Sequence, residues 1–267
     1  KRELDRVAAE FENECKAGNV STDKKTFLQY SEYVMKLKER DNKHRTVHRY
    51  KQLLERINEE IGHLKLTEVT GEHLNRLYIK LGKSGANKKT GKPLSPATIH
   101  YHHRIIHMIF TQAFKEGLVR YNIADTATPP KVEKKEAEFF ELDDIIAIRE
   151  ALNKQPLKWQ AITELLINTG ARRGEILGLT WDNIDFKNDR ISIENNLQYT
   201  PERGIYLEVS TKNYENRFIN IAPEIVAILK AHKKDQLEQK VKLGSYWTDT
   251  GFCFTQDDGT PIHPDSV

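Results

Sequence analysis

Apolar positions recur with a helical period through the first half of the chain, then shift to a strand-like period near residue 190. In Lys1–Gly18, the residues Leu4, Val7, Ala8, Phe11 and Cys15 share one face, which predicts an amphipathic helix ending near Gly18. A second helical pattern covers Thr26–Lys38. Thr46–Ile61 follows, with Val47, Tyr50, Leu53, Leu54, Ile57 and Ile61 facing inward and His48, Arg49, Gln52 and Arg56 facing outward. A shorter helix is predicted over Gly71–Leu81, and Lys83–Pro93 (KSGANKKTGKP) reads as a cationic glycine-containing loop. Ser95–Lys115 opens with Ser95 as N-cap and Pro96 at the first helical position. Its apolar face is Ile99, Ile106, Ile109, Phe110 and Ala113, while His100, Arg104, His107 and Thr111 lie on another.

Thr126–Glu138 (TATPPKVEKKEAE) interrupts these patterns with two prolines and a charge run, and reads as a linker. Beyond it, Leu142–Leu152, Trp159–Asn168 and Arg173–Leu179 predict helices. Arg190–Gln198, Gly204–Val209 and Arg217–Ile221 predict three short strands. Pro223–Lys240 is helical again, Phe252–Phe254 is a short apolar stretch, and Thr260–Val267 has the composition of a helix start. The expected fold is mainly α with a small β-sheet. Its divisions are an N-terminal coupling helix over 1–20, a helical unit over 21–125, a linker over 126–138 and an α+β unit over 139–267.

A length of 267 residues favours two domains, and no run approaches the roughly 18 apolar residues of a membrane helix, so no membrane partner is expected. The chain starts with Lys1 inside a helical pattern, which reads as the start of a fragment. Cys15 and Cys253 lie far apart and predict neither a disulfide framework nor a thiolate metal cluster, in keeping with a reducing cytoplasm.

The net charge of +3 is small, but its distribution is uneven. No Asp or Glu occurs from His73 to Lys115, nor from Asn42 to Leu54. These windows carry Lys43, Arg45, His48, Arg49, Lys83, Lys88, Lys89, His100 and Arg104, the expected contacts to the phosphate backbone of double-stranded DNA. The plainer alternative is a set of solvated helix faces. Mixed-sign surfaces are what solubility alone favours, and here one sign is missing. His103 and His107 stand at a metal-ligating spacing, but no third ligand accompanies them.

The segment TGARRGE at Thr169–Glu175 carries the sharpest chemistry. A Thr-Gly turn fixes where the following arginines point, and the planar guanidinium of Arg172 suits two phosphate oxygens. Glu175, three residues on, is placed to hold that arginine. By itself this is also how an ordinary Arg–Glu pair on a helix surface looks.

The longer stretch TGARRGEILGLTWDNIDF resembles the box I region of the tyrosine recombinase (phage integrase) family, whose TGxRxxE segment precedes a three-stranded sheet. VSTKNYENRFINI resembles the family's lysine hairpin, and Ser95–Gly117 loosely matches the last helix of its core-binding domain. The likeness covers Thr22–Val267 and is nearest to integrases of conjugative transposons and Gram-positive phages. It implies a helical, SAM-like core-binding domain followed by an α+β catalytic domain that is truncated here. It also implies catalytic roles for Arg172, Glu175 and Lys212, with Arg173 and Arg217 among the DNA contacts.

In such enzymes a tyrosine attacks the scissile phosphate to give a 3′-phosphotyrosyl link, and a partner strand's hydroxyl reverses the step. The resemblance implies tetramers on recombination sites, no ATP and no cofactor. In keeping with this, the sequence has no HExxH, cysteine-pair or paired-carboxylate constellation for a divalent ion. A HxxR box, a later His or Trp and the nucleophilic Tyr are expected beyond Val267; His263 has no Arg three residues on. Tyr199, Tyr206 and Tyr214 fall in the strand region and are not expected to be nucleophiles. The expectation is therefore a chain that binds DNA and does not cut it. The alternatives are a non-catalytic architectural DNA-binding protein and a scaffold whose charge is incidental.

Overall fold

In the computed structural model, residues 3, 6, 25–133, 136, 138–209 and 217–267 are described, and the chain divides into two units, 1–136 and 137–267. The predicted helix over Lys1–Gly18, with Cys15, lies outside the described residues except for Glu3 and Arg6, which are helical. Lys212 and Tyr214 lie outside them as well.

The first unit contains α1 (Phe27–Asp41), α2 (His44–Ile61), α3 (Gly71–Leu81) and α4 (Pro96–Lys115). Side-chain caps set three of the starts: Thr26 Oγ1 accepts from Gln29 N at 3.3 Å, Thr70 Oγ1 from His73 N at 3.4 Å and Ser95 Oγ from Thr98 N at 3.2 Å. Each satisfies a helix-end N–H that otherwise has no partner, a contribution of about 1 kcal/mol. Phe27, Tyr30, Leu53, Ile57, Ile106 and Phe110 fill the core, with the Phe27 and Phe110 rings 5.8 Å apart.

Two expectations change in this unit. Tyr50, predicted to face inward, is only half-buried, whereas His102 is fully buried on the apolar face of α4, where its Nδ1 bonds Thr98 O at 2.8 Å. The predicted linker also begins later than composition suggests. Thr128 N donates to Asn75 Oδ1 at 2.8 Å, and His100 Nε2 lies 2.7 Å from Pro130 O, so residues 126–130 are tied to α3 and α4.

The second unit contains α5 (Leu142–Leu152), α6 (Leu157–Thr169), α7 (Arg173–Leu177) and α8 (Pro223–Leu243). Its strands are β1 (Ile184–Asp185), β2 (Arg190–Ile193), β3 (Asn195–Thr200), β4 (Gly204–Val209) and β5 (Arg217–Asn220). The predicted single strand Arg190–Gln198 is broken at Glu194. Its first part joins an antiparallel sheet of order β1-β2-β5, and its second part pairs, among the described residues, with β4. The break is marked by the Ser192 hydroxyl, which turns back to Glu194 Oε1 at 2.8 Å. Among the described residues β4 pairs with β3 and β5 with β2, and the segment between β4 and β5 lies outside the described residues.

Ile162 and Leu165 of α6, Ile225 and Leu229 of α8, and Ile191 and Ile193 of β2 form the core with Cys253 and Phe254. His232 is buried among them, stacked on Phe254 with ring centroids 5.4 Å apart, and its Nε2 lies 2.8 Å from Cys253 O.

Burial lowers the pKa of His102 and His232 below the ordinary histidine value. An unfolded histidine titrates near ~6.5, so the unfolded chain takes up protons first as pH falls. The stability these neutral rings contribute is whole above that value and lost below it. The melting temperature is therefore expected to fall between about pH 7.5 and about pH 5, and a flat profile would contradict the buried neutral state.

Candidate active site

The TGARRGE segment makes a turn whose geometry follows from its residues. The Thr169 hydroxyl donates back to Leu165 O at 2.6 Å and accepts from Ala171 N at 3.1 Å, closing the end of α6. Gly170 then adopts φ 59°, the left-handed conformation that ends helices and that a side chain disfavours. Ala171 is buried, and Arg172 becomes the N-cap of α7 in extended geometry.

Glu175 is the centre of the site. It is 1% exposed, yet one of its oxygens accepts from Arg172 Nη1 at 2.9 Å. The other accepts from the Arg172 backbone N–H at 2.9 Å and from Arg217 Nη2 at 2.6 Å. Two guanidiniums thus meet opposite oxygens of one buried carboxylate. The carboxylate is inside, but the arginines are not: their side chains are 73% and 42% exposed at Arg172 and Arg217. A desolvated carboxylate requires such partners, and charge-assisted bonds of this length are the strong kind.

The strands place Arg217. It opens β5 opposite Ile193, the last residue of β2, and three residues later Asn196 lies beneath α7. A Cβ on Gly174 would collide with Asn196 Oδ1 and come within 2.8 Å of Leu197 O, so this glycine lets α7 rest directly on β3. The LGLTWDNID stretch that follows is an anchor. Cys253 N donates to Leu179 O at 2.9 Å, Trp181 Nε1 donates to Gln236 Oε1 at 2.7 Å, and Lys233 Nζ lies 5.1 Å from the Trp181 ring centroid.

Arg173 points elsewhere. It donates to Asp265 Oδ1 at 3.0 Å and to Val267 O at 2.9 Å, while His263 packs on Tyr199 with ring centroids 4.3 Å apart. Lys212 follows β4 and lies outside the described residues, so its position relative to Glu175 is not part of this geometry.

In the first unit the predicted DNA contacts sit on α2, α4 and the loop between α3 and α4. Lys43, Arg45, Arg49, Lys83, Lys88, Lys89 and Arg104 are exposed, and His48 and His100 are half-buried. Arg49 and His48 both bond Gln52, at 3.2 and 2.8 Å, and Lys88 pairs with Glu59 at 3.1 Å. The Arg104 guanidinium lies 5.6 Å from the Tyr101 ring centroid. Sequence reading missed a ladder of rings on α4, in which His100–His103 and His103–His107 are each 6.2 Å apart. It also missed that Arg217, 42 positions away, bonds Glu175. The spacing His73-x-x-Arg76 occurs on α3 with local partners, Thr70 and Glu72.

A helical unit is thus followed by an α+β unit that presents Arg172 and Arg217 over the buried Glu175. Residues 26–128 match the model of the phage integrase SAM-like domain, and residues 137–266 match that of the phage integrase family. The chain belongs to the tyrosine recombinase (phage integrase) family. A XerC-like tyrosine recombinase of Caldanaerobacter subterraneus is 30% identical over 223 residues, which cover 77% of this chain and 54% of that relative. The chain thus spans about half the length of the curated relatives it matches.

Among solved structures, the Tn1549 transposon integrase in complex with a circular intermediate DNA superposes with a TM-score of 0.71 at 18% identity, covering 89% of this chain and 73% of that one. The lambda integrase tetramer bound to a Holliday junction superposes with a TM-score of 0.59 at 15% identity, covering 94% of this chain and 63% of that one.

Proposed function

We propose that this chain is the DNA-binding, arginine-bearing part of a site-specific DNA recombinase that cleaves and rejoins strands through a 3′-phosphotyrosine intermediate. The carrying observation is the Arg172–Glu175–Arg217 cluster, in which two arginines whose side chains are 73% and 42% exposed hold one buried carboxylate. The family and the DNA-bound integrases of the same fold support the reading.

Attack on a phosphodiester builds negative charge on the non-bridging oxygens. Arg172, with its side chain 73% exposed and its backbone fixed by the turn, stabilises that charge, and Glu175 sets its orientation. Lys212 protonates the leaving 5′-oxygen as general acid. Arg173 adds positive charge nearby. The outward cations of α2, α4 and the loop between α3 and α4 hold the duplex backbone and fix register without reading sequence. Tyr199 and Tyr206 lie on the β3–β4 hairpin and neither is assigned as nucleophile. The chain by itself binds DNA, in the cytoplasm, and does not cut it. In the complete recombinase, copies assemble as tetramers on recombination sites, a state supported by the lambda integrase neighbour.

Binding of a duplex in a salt series tests this reading. Affinity is expected to fall steeply, about 0.9 in log K per decade of salt for each phosphate neutralised, and absence of binding at low salt would sink it. Incubation with a suicide substrate separates the enzymatic part. The chain alone is expected to give no covalent adduct, and an adduct would show that one of its own tyrosines is the nucleophile. A recombinase joining this sequence to its nucleophile is expected to form the adduct. Binding with no adduct there would mark an architectural DNA-binding protein instead.

A further inference from the structure

Arg172 faces two demands that pull in opposite directions. Glu175, 1% exposed, requires a positive partner, because an uncompensated carboxylate in the interior is strongly unfavourable. An incoming phosphate requires the same guanidinium to be open. An arginine beside a buried carboxylate whose second oxygen is open to it closes over both oxygens in the bidentate geometry the fork favours, and its donors are then occupied. The structure shows a different arrangement. Arg172 Nη1 reaches one carboxylate oxygen, the side chain stays 73% exposed, and the second oxygen is taken by Arg217 Nη2 at 2.6 Å. Among the described residues, two guanidiniums meet this one carboxylate.

We infer that Arg217 is a positioning residue: it serves as the counter-charge to Glu175, occupies the oxygen Arg172 would otherwise close upon, and so keeps the Arg172 guanidinium open to an anion. This is a role through Glu175 and differs from the direct DNA contact that the sequence resemblance assigned to Arg217. Arg217 is suited to it by placement. It stands on β5, held by pairing to β2, and not on the short helix that carries Arg172 and Glu175, so its hold on Glu175 does not depend on the TGARRGE turn.

The first test needs no DNA, so it stands apart from the proposed function, on which only the second rests. In the chain carrying ¹⁵N-labelled arginine, the Arg172 guanidinium is identified by the signals lost in Arg172→Lys. In Arg217→Gln, which can still donate a hydrogen bond but carries no charge, Arg172 is expected to become more restrained, with slowed guanidinium rotation and hydrogen exchange. Arg217→Lys is expected to restore the wild-type signals. Arg172 signals that stay unchanged or loosen in Arg217→Gln would overturn the inference. Thermal melting of each variant checks that it is folded, and if Arg217→Gln does not fold, Arg217→Lys and Arg217→Met are compared in its place.

The second test is a double-substitution cycle read by affinity for a duplex. Arg217→Gln is expected to weaken binding by about three- to tenfold in the wild-type background, the scale of one charge-assisted contact, and to add almost nothing once Arg172→Ala is present. A direct phosphate contact from Arg217 would instead add its full cost in both backgrounds, and that additive result counts against the inference. If the wild-type chain fails to bind DNA at all, the functional reading falls while the arginine spectra still decide the role of Arg217.

Discussion

In a recombinase that carries this sequence together with its nucleophile, replacing Arg172 with alanine is expected to abolish strand cleavage while leaving duplex binding within about tenfold of wild type. The asymmetry follows from the geometry. Removing one preorganised donor from developing negative charge costs about 10²–10³-fold in rate, and an arginine at a transferring phosphoryl group about 10³-fold or more. In the proposed function, binding instead draws on the many exposed cations of α2, α4 and the loop between α3 and α4, to which Arg172 adds one more. Gel retardation and covalent-adduct formation measured on one preparation separate the two effects. A variant that still cleaves at the normal rate would remove Arg172 from the chemistry, and one that loses binding with cleavage would make it an affinity residue.

Gly174→Ala is expected to damage both fold and site, although it adds a single methyl group. The position that methyl requires is held by Asn196 Oδ1, and Leu197 O lies 2.8 Å away. Asn196 Oδ1 ends a side chain and can turn aside, but Leu197 O is backbone, held on β3 by its pairing with β4. Helix α7 must therefore lift from the strand, taking Arg172 and Glu175 with it while Arg217 stays with β5. Overpacking of this kind costs about 1–3 kcal/mol. The Glu175–Arg217 bond, already at 2.6 Å across elements, has to stretch or break. Thermal unfolding and DNA binding of the single variant test this, and unchanged melting together with unchanged binding would mean that α7 does not rest on β3 as described.

Much of this was legible from residue pattern alone, and the reasons are local. Ser95 and Pro96 announce the start of α4 because an N-cap hydroxyl and a proline without N–H both fit a helix entrance. The turn at Thr169–Gly170 is likewise local, since glycine alone adopts its φ cheaply. His102 was left off the apolar face although the signal was available: it stands at helical spacing with Ile99, Ile106 and Ile109, on the buried face.

The remainder depends on contacts that no local window contains. The break at Glu194 lies inside a stretch of continuous strand character, so period alone joins β2 to β3. That Arg217 meets Glu175, and that Arg173 is occupied by Asp265 and Val267, depends on strand pairing and chain return over 42 and more than 90 positions. The first of these adds a second guanidinium to the expected Arg172–Glu175 pair.

The break at Glu194 has a mechanical consequence. Ile193, the residue before it, sits across from Arg217, and Asn196, two residues after it, supports Gly174. One short stretch of backbone is thus a common bearing for both arginines, and the distance between their supports is set by chain length and by no side chain. Adding one residue there would turn every following side chain of β3 to the opposite face and slide the seat of α7 against the sheet that carries Arg217. The spacing of the charge cluster is written in the count of residues between two strands, so this loop-less joint tolerates substitution far better than insertion.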